Sequence, residues 1–95
     1  MKISILIPCY NEEKTLRNIL QKVIKFEKYE KEIIIIDDAS NDKSYEIAKE
    51  FEKNFDFVKT YRQTKNIGKG SAIKSGLEHV TGDIVLIQDA DLEYD

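Results

Sequence analysis

Two patterns of hydrophobic and polar positions alternate along this chain. Short, uninterrupted apolar runs predict buried strands, because a strand of a parallel sheet is covered on both faces. Longer stretches with an apolar residue at every third or fourth position predict helices that turn one face toward the sheet. The strand-like runs lie at 3–7, 32–36, 57–61 and 84–87.

The predicted helices fill the gaps between these runs. The first should carry Glu12 and Glu13 in its opening turn, where the helix dipole favours acidic side chains, and should end near Phe26. The third should turn Ile73, Leu77 and Val80 inward and end at Thr81-Gly82. Pro8 is expected to close the first strand.

The order β-α-β-α-β-α-β predicts the α/β class, with a parallel sheet and right-handed crossovers. The run 57–61 is more polar and alternates, which suits an outer strand. We therefore expect the strand order 3-2-1-4. Ligands of such sheets bind at the carboxyl ends of the strands, where the order reverses, so 8–13 and 89–95 should flank a crevice with 37–38 one strand away.

Asp89 and Asp91 follow the last apolar run at alternate positions and can face one divalent cation. Acidic residues also close strands and cap the next element, so this pair alone does not decide the matter. Asp37 and Asp38 leave a similar choice between capping the second helix and accepting hydrogen bonds from a base or ribose. A receiver-like signalling domain also has an acidic pair after a strand, but it needs an aspartate after its third strand, where this chain has Arg62.

The glycine-rich segment 66–70 fits neither common phosphate-binding fingerprint. Gln63 stands where a Walker loop needs its first glycine, and Gly70 replaces the hydroxyl residue. The dinucleotide pattern would need glycine at Ile73. The glycines can simply open the third helix, while Lys69 can approach a diphosphate as a point charge.

Composition narrows the functional classes. A net charge of −3 without a dominant basic cluster argues against nucleic acid as the main partner. No apolar run is long enough to span a bilayer, and the single cysteine, Cys9, suits a reducing compartment, so a cytoplasmic location is expected. Cys9 is interpreted as a buried thiol rather than a nucleophile.

Taken together, four segments resemble the nucleotide-sugar-binding half of a family 2 glycosyltransferase with the GT-A fold. The segments are ILIPCYNEE (5–13), EIIIIDDASND (32–42), NIGKGSA (66–72) with Gly76, and GDIVLIQDADL (82–92). The sequence of residues 88–95 most resembles that of transferases that act on dolichyl or polyprenyl phosphate. The resemblance covers 1–95 as one donor-binding part.

The resemblance implies a nucleoside diphosphate sugar, linked to UDP or GDP, as the ligand, and Mg²⁺ or Mn²⁺ as the cofactor. It implies that Asp89 and Asp91 hold the metal, with Glu93 as a further candidate ligand. The residues implied to bind the nucleotide sugar are Pro8, Tyr10, Glu12, Asp37, Asp38, Lys69 and Asp89.

The resemblance also implies that the acceptor-binding elements and any general base follow Asp95. We therefore expect a truncated donor half that is inactive by itself, with an exposed sheet edge at which a second copy would pair. A non-catalytic module that binds nucleotide or metal, or serves assembly, is the alternative from another class.

Overall fold

A computed structural model describes residues 1–91 of the chain. The α/β class and the strand order 3-2-1-4 are confirmed, because all the strand pairs are parallel and the order is β3-β2-β1-β4. The elements are β1 (Lys2–Cys9), α1 (Leu16–Lys25), β2 (Glu30–Asp37), α2 (Ser44–Asn54), β3 (Val58–Arg62), α3 (Lys69–Leu77) and β4 (Ile84–Ile87).

The hydrophobic core lies on both faces of the central strands, as their unbroken apolar runs predict. Odd-numbered residues of β1 and β2, such as Ile7 and Ile35, pack with α1 and α2 on one face. Even-numbered residues, such as Leu6 and Ile36, pack with α3 on the other. None of the helices within residues 1–91 is long and apolar enough to cross a membrane.

Pro8 does not close β1, which runs on to Cys9 in register with β2. The backbone N–H and C=O groups of the even-numbered residues of β1 point toward β4. For example, the carbonyl of Leu6 accepts from the Gln88 amide. The last residue of β1 that pairs with β4 is Leu6, which lies opposite Ile87. Pro8 comes after this pair and so has no partner in β4. The missing N–H of proline therefore costs no sheet hydrogen bond there.

The acidic pair Glu12 and Glu13 precedes α1 instead of lying in its first turn. The carbonyl of Glu12 accepts hydrogen bonds from the amides of Thr15 and Leu16, so a turn forms before the helix starts. The helix therefore begins at Leu16, about one turn later than the acidic pair predicted. They belong to the loop after β1.

The inward face of α3 differs from the prediction. Leu77 is 48% exposed, whereas Ala72 and Gly76 are buried. A Cβ at Gly76 would lie 2.2 Å from Cδ1 of Leu6, so the helix packs too closely on the sheet for a large side chain. Val80 packs on the same core from beyond the helix, which ends at Leu77 rather than at Thr81-Gly82.

The prediction that β4 is buried is wrong for the described part of the chain. Ile84, Leu86 and Ile87 are 41–51% exposed, because β4 pairs with β1 alone and forms a sheet edge. The exposed edge itself was expected and is confirmed within residues 1–91. Periodicity recognises an apolar strand but does not show which side of it lacks a neighbour.

Candidate functional site

An open cavity of about 390 Å³ lies at the carboxyl ends of β1 and β4. This is the point where the strand order reverses, since β2 and β4 lie on opposite sides of β1. Most of the residues singled out from the sequence meet here. Those that line the cavity are Pro8, Tyr10, Glu12, Asp38, Lys69, Asp89 and Asp91.

The loop after β1 is fastened to the loop after β2 by side-chain hydrogen bonds. Asn11 has a positive φ of 52°, a conformation that asparagine tolerates better than most residues. Its side-chain oxygen accepts from the amide of Asn41 at 2.8 Å, and its own amide donates to Oγ of Ser40 at 2.9 Å. The amide of Glu12 donates to Oγ of Ser44. These bonds hold Tyr10 and Glu12 at the cavity wall.

Among the predicted site residues within 1–91, Asp37 alone does not line the cavity. Its carboxylate is 1% exposed, accepts a hydrogen bond from the Ser40 amide at 3.0 Å and forms an ion pair with Nε of Arg62 at 3.2 Å. Within residues 1–91, its Oδ1 atom has no hydrogen-bond partner. A base or ribose contact for Asp37 stays a prediction.

Asp38 lines the cavity but is also buried, at 2% exposed. Its carboxylate accepts hydrogen bonds from the segment 63–68, which precedes α3. Neither Asp37 nor Asp38 caps α2. Lys43 occupies the N-cap position of α2 and makes no side-chain cap hydrogen bond. Oδ1 of Asp42 accepts from the amide of Ser44, the first residue of the helix, at 2.9 Å.

The segment after β4 carries the carboxylates of Asp89 and Asp91 at alternate positions. It is tied to the start of α1 by Oγ1 of Thr15, which donates to the carbonyl of Ala90 at 2.7 Å. Nζ of Lys69 forms an ion pair with Oδ1 of Asp89 across the cavity. The hydrogen bond that Lys69 donates to Asp89, together with the negative charges of Asp89 and Asp91, raises the pKa of Lys69.

The carboxylates of Asp89 and Asp91 are suitable ligands for a hard divalent cation. Two carboxylates face the cavity, and the structure already places one positive charge, that of Lys69, against Asp89. No group of three or more acidic, histidine or cysteine side chains suited to a metal occurs in the described part of the chain. Glu93, the further candidate ligand, lies outside the described residues.

Cys9 is a buried thiol at the end of β1, as expected, and it also lines the cavity. Burial raises the pKa of Cys9 to about 12, helped by the nearby charge of Asp37, although a hydrogen bond with Ser44 opposes this. The thiolate, which is the nucleophilic form, is therefore scarce at neutral pH.

Three uncharged residues that fix the cavity segments were not predicted from the sequence, and of these Asn66 also lines the cavity. Gln63, Asn66 and Thr15 hold cavity segments through side-chain hydrogen bonds. Asn66 is the first residue of the glycine-rich segment, and its position two residues before Gly68 could have indicated a role at the site. Nothing in the local pattern around Gln63 or Thr15 indicates their long-range partners.

The parallel sheet and the carboxylate-lined cavity at its switch point define a Rossmann-like α/β ligand-binding domain. Comparison with known proteins gives the family. The chain belongs to glycosyl transferase family 2, whose model matches residues 4–95.

Curated relatives agree with this assignment. The chain is 43% identical over 93 residues to a poly-beta-1,6-N-acetyl-D-glucosamine synthase of Staphylococcus epidermidis, covering 98% of this chain and 22% of the relative. It is 35% identical to the dolichol-phosphate mannosyltransferase of Pyrococcus furiosus, covering 99% of this chain and 27% of the relative. The chain thus spans about a quarter of the length of these relatives.

Solved structures confirm the GT-A fold. TarS 1-349 of S. aureus in complex with UDP-GlcNAc superposes with a TM-score of 0.86 at 30% identity, covering 96% of this chain and 27% of TarS. The mannosyltransferase PcManGT from Pyrobaculum calidifontis, in complex with GDP-Man and Mn²⁺, gives 0.84 at 26% identity, covering 94% of this chain and 27% of PcManGT.

Proposed function

We propose that this chain is the donor-binding part of a glycosyltransferase and that its cavity binds a nucleoside diphosphate sugar. The observation that carries the proposal is the convergence of Tyr10, Lys69, Asp89 and Asp91 on one cavity at the switch point. Aromatic, cationic and acidic groups at one site suit a ligand with a flat base, a diphosphate and a bound cation. The complexes of TarS with UDP-GlcNAc and of PcManGT with GDP-Man support this ligand class.

The roles of the residues follow their positions in the cavity. Tyr10 is 41% exposed and offers a ring on which a base can stack, beside Pro8 and Glu12. Lys69 would bind the diphosphate by charge. Asp89 and Asp91 would hold Mg²⁺ or Mn²⁺, and when bound the ion offsets the negative charge that develops on the leaving nucleoside diphosphate.

The acceptor is proposed to be a polyprenyl phosphate or a growing polysaccharide, the classes that the names of the relatives contain. We further propose that acceptor binding and any general base depend on sequence beyond 1–95, so that this chain binds donor without transferring sugar. Pairing of a second copy at the β4 edge stays a prediction, and light scattering that shows a monomer would contradict it.

A thermal unfolding panel tests the proposal. UDP-GlcNAc and GDP-mannose, each with and without Mn²⁺, are compared with ADP-glucose and with Mn²⁺ alone. We expect Tm to rise with a uridine or guanosine diphosphate sugar and to rise further with Mn²⁺, because ligands that bind only the folded state stabilise it. A Tm unchanged by all the nucleotides would contradict donor binding. A rise with Mn²⁺ alone, with no further rise from any nucleotide, would favour the alternative of a metal-binding module.

A further inference from the structure

The residue between the two carboxylates after β4 is held to the start of α1 in two ways. Ala90 is 3% exposed and belongs to the core cluster that also contains Leu16, the first residue of that helix. The carbonyl oxygen of Ala90 accepts a hydrogen bond from Oγ1 of Thr15 at 2.7 Å. Both the side chain and the backbone of Ala90 are therefore fixed against one helix end.

Hydrogen bonds of the sheet do not extend to this residue. Within residues 1–91, the last backbone hydrogen bond between the segment and β1 joins the amide of Gln88 to the carbonyl of Leu6, at 2.9 Å. The side chain of Gln88 adds a local hydrogen bond to the carbonyl of Asp89. The next backbone anchor from outside the segment is the hydroxyl of Thr15 on the carbonyl of Ala90.

The hydroxyl of Thr15 is available for this bond because it does not cap α1. Thr15 is the N-cap residue, where threonine usually accepts from an amide of the first turn, but here its side chain makes no cap hydrogen bond. Two oxygens of Glu12 lie at 3.4 and 3.5 Å from Oγ1. A hydroxyl has one proton to donate, and the 2.7 Å contact with Ala90 is the shortest of the three. The side chain of Thr15 thus serves the segment after β4 rather than its own helix.

This anchor restrains the two carboxylates on either side of it. Asp89 and Asp91 both line the cavity, whereas Ala90 between them is buried in the core. The peptide unit from Ala90 to Asp91 is planar, so a fixed Ala90 carbonyl also fixes the backbone at which the Asp91 side chain starts. Carboxylates that already face one point lose less conformational entropy when they bind a cation.

We propose that Thr15 is a positioning residue for the metal site, whose hydroxyl fixes the Ala90 carbonyl so that Asp89 and Asp91 face the cavity together. The part that concerns the metal rests on the proposed function. The claim that Thr15 orders segment 88–91 does not, because it concerns contacts within the chain alone. Thr15→Val is the informative change, since valine keeps the branched shape and loses only the hydroxyl.

Nuclear magnetic relaxation without metal or nucleotide tests the ordering claim. The backbone order parameter of the Asp91 amide should fall in Thr15→Val and return to the wild-type value in Thr15→Ser, which keeps the donor. An unchanged order parameter in Thr15→Val would overturn the proposal. If Thr15→Val does not fold, Thr15→Ala removes the same hydroxyl, and the same fall is expected from it.

Thr60→Val is the matched control, because it makes the same replacement at a hydroxyl that holds nothing. Thr60 is 8% exposed on β3, and its Oγ1 has no hydrogen-bond partner within residues 1–91. Its replacement should leave the order parameter of Asp91 unchanged. A fall as large as that in Thr15→Val would mean that the segment responds to any loss of a hydroxyl, and would overturn the proposal.

Mn²⁺ binding tests the link to the metal. Electron paramagnetic resonance measures free Mn²⁺ during titration of each protein, with and without UDP. Thr15→Val should weaken Mn²⁺ binding about threefold to tenfold, the effect of one hydrogen bond, while Thr15→Ser and Thr60→Val bind as the wild type does. Unchanged Mn²⁺ affinity in Thr15→Val would overturn the proposal. A loss that Thr15→Ser does not restore would overturn it too, because side-chain shape and not the hydroxyl would then be the cause.

Failure of the proposed function gives a different result. A wild-type chain that binds no Mn²⁺, even with UDP, would refute the metal site and with it the positioning role of Thr15. The relaxation measurement would still show whether Thr15 orders segment 88–91. Lower order at Asp91 together with weaker Mn²⁺ binding, both restored by Thr15→Ser, is the result that supports the whole proposal.

Discussion

Lys69 and Asp89 form an ion pair across the cavity, joining the first residue of α3 to the segment that follows β4. Both side chains are about half exposed, 58% for Lys69 and 45% for Asp89. The lysine ammonium lies against a carboxylate that is also a proposed metal ligand. Lys69 and a divalent cation would therefore compete for the carboxylate of Asp89.

Replacing Lys69 by methionine should consequently affect metal and nucleotide in opposite directions. Lys69→Met is expected to tighten Mn²⁺ binding without nucleotide by about two- to fivefold, the range that an exposed ion pair supports. It should weaken UDP binding, because the diphosphate loses a cationic partner. Calorimetry with each ligand measures both effects. Lys74→Met, which removes the same charge from an exposed position of α3, should do neither, and weaker Mn²⁺ binding in Lys69→Met would contradict the shared site.

Gly76 is the point of closest approach between α3 and the sheet. A Cβ there would lie 2.2 Å from Cδ1 of Leu6 and 3.0 Å from Cγ1 of Ile36, and both partners are buried. Gly76→Ala is expected to lower the free energy of unfolding by about 1–3 kcal/mol, the usual cost of overpacking. Urea denaturation measures this change.

Gly70→Ala is the control for that substitution, since its Cβ would meet nothing within 4 Å. It should leave the free energy of unfolding unchanged or raise it by up to about 1 kcal/mol, because alanine favours a helix. Equal destabilisation by both changes would contradict close packing at Gly76 as the cause, because the helix propensity of alanine acts in the opposite direction.

Glu32 joins β2 to the turn before β4. Burial acts to raise the pKa of Glu32, but hydrogen bonds from Ser4 and Thr81 and the charge of Lys2 together lower it below the usual 4.5. A carboxyl whose pKa is lower in the folded state stabilises the fold above its unfolded pKa, and this contribution is lost as the pH falls through the folded value.

We therefore expect the free energy of unfolding to decrease as the pH falls below about 4.5, with part of the decrease due to Glu32. Glu32→Gln should lower stability at pH 7 by about 1–2 kcal/mol and flatten the profile in acid, as measured by urea denaturation from pH 3 to pH 7. Glu30→Gln, at an exposed position of the same strand, is the comparison. An unchanged acid profile in Glu32→Gln would refute this role.

Cys9 should be unreactive in the folded protein. Its pKa is raised to about 12, chiefly by burial, so little thiolate exists at pH 8. We expect alkylation by iodoacetamide to be slow in buffer and rapid in denaturing urea, as followed by mass spectrometry. Equal rates in both conditions would mean that the thiol is accessible in the folded state.

The sequence was sufficient to predict the fold because each element carries a strong periodic signal. The unbroken branched run of β2 predicts a strand covered on both faces, and Ile33 through Ile36 are indeed at most 1% exposed. The strand order follows from the more polar character of β3 and the handedness of the crossovers. The sequence did not predict how closely α3 packs on the sheet. Leu77 points outward because Gly76 makes the closest approach to the sheet.

The site was predictable in its charged residues and not in their partners. Asp38, Lys69 and Asp89 stand at strand ends or at a helix start, so topology alone brings them to one cavity. The number of protein donors that surround Asp38 depends on how segment 63–68 folds back. That path is set by contacts between residues more than 20 positions apart, which local patterns do not encode.

The central claim is that Asp89 and Asp91 couple a divalent metal to nucleotide binding. Its most direct test is calorimetric titration with UDP-GlcNAc and with GDP-mannose, each with and without Mn²⁺. The titrations compare the wild-type chain with Asp91→Asn and with Asp56→Asn, which removes one exposed charge between α2 and β3. We expect Mn²⁺ to strengthen binding of one donor at least tenfold in the wild type and in Asp56→Asn, and to have no such effect in Asp91→Asn. Equal Mn²⁺ dependence in all three proteins, or no binding of either donor, would contradict the claim.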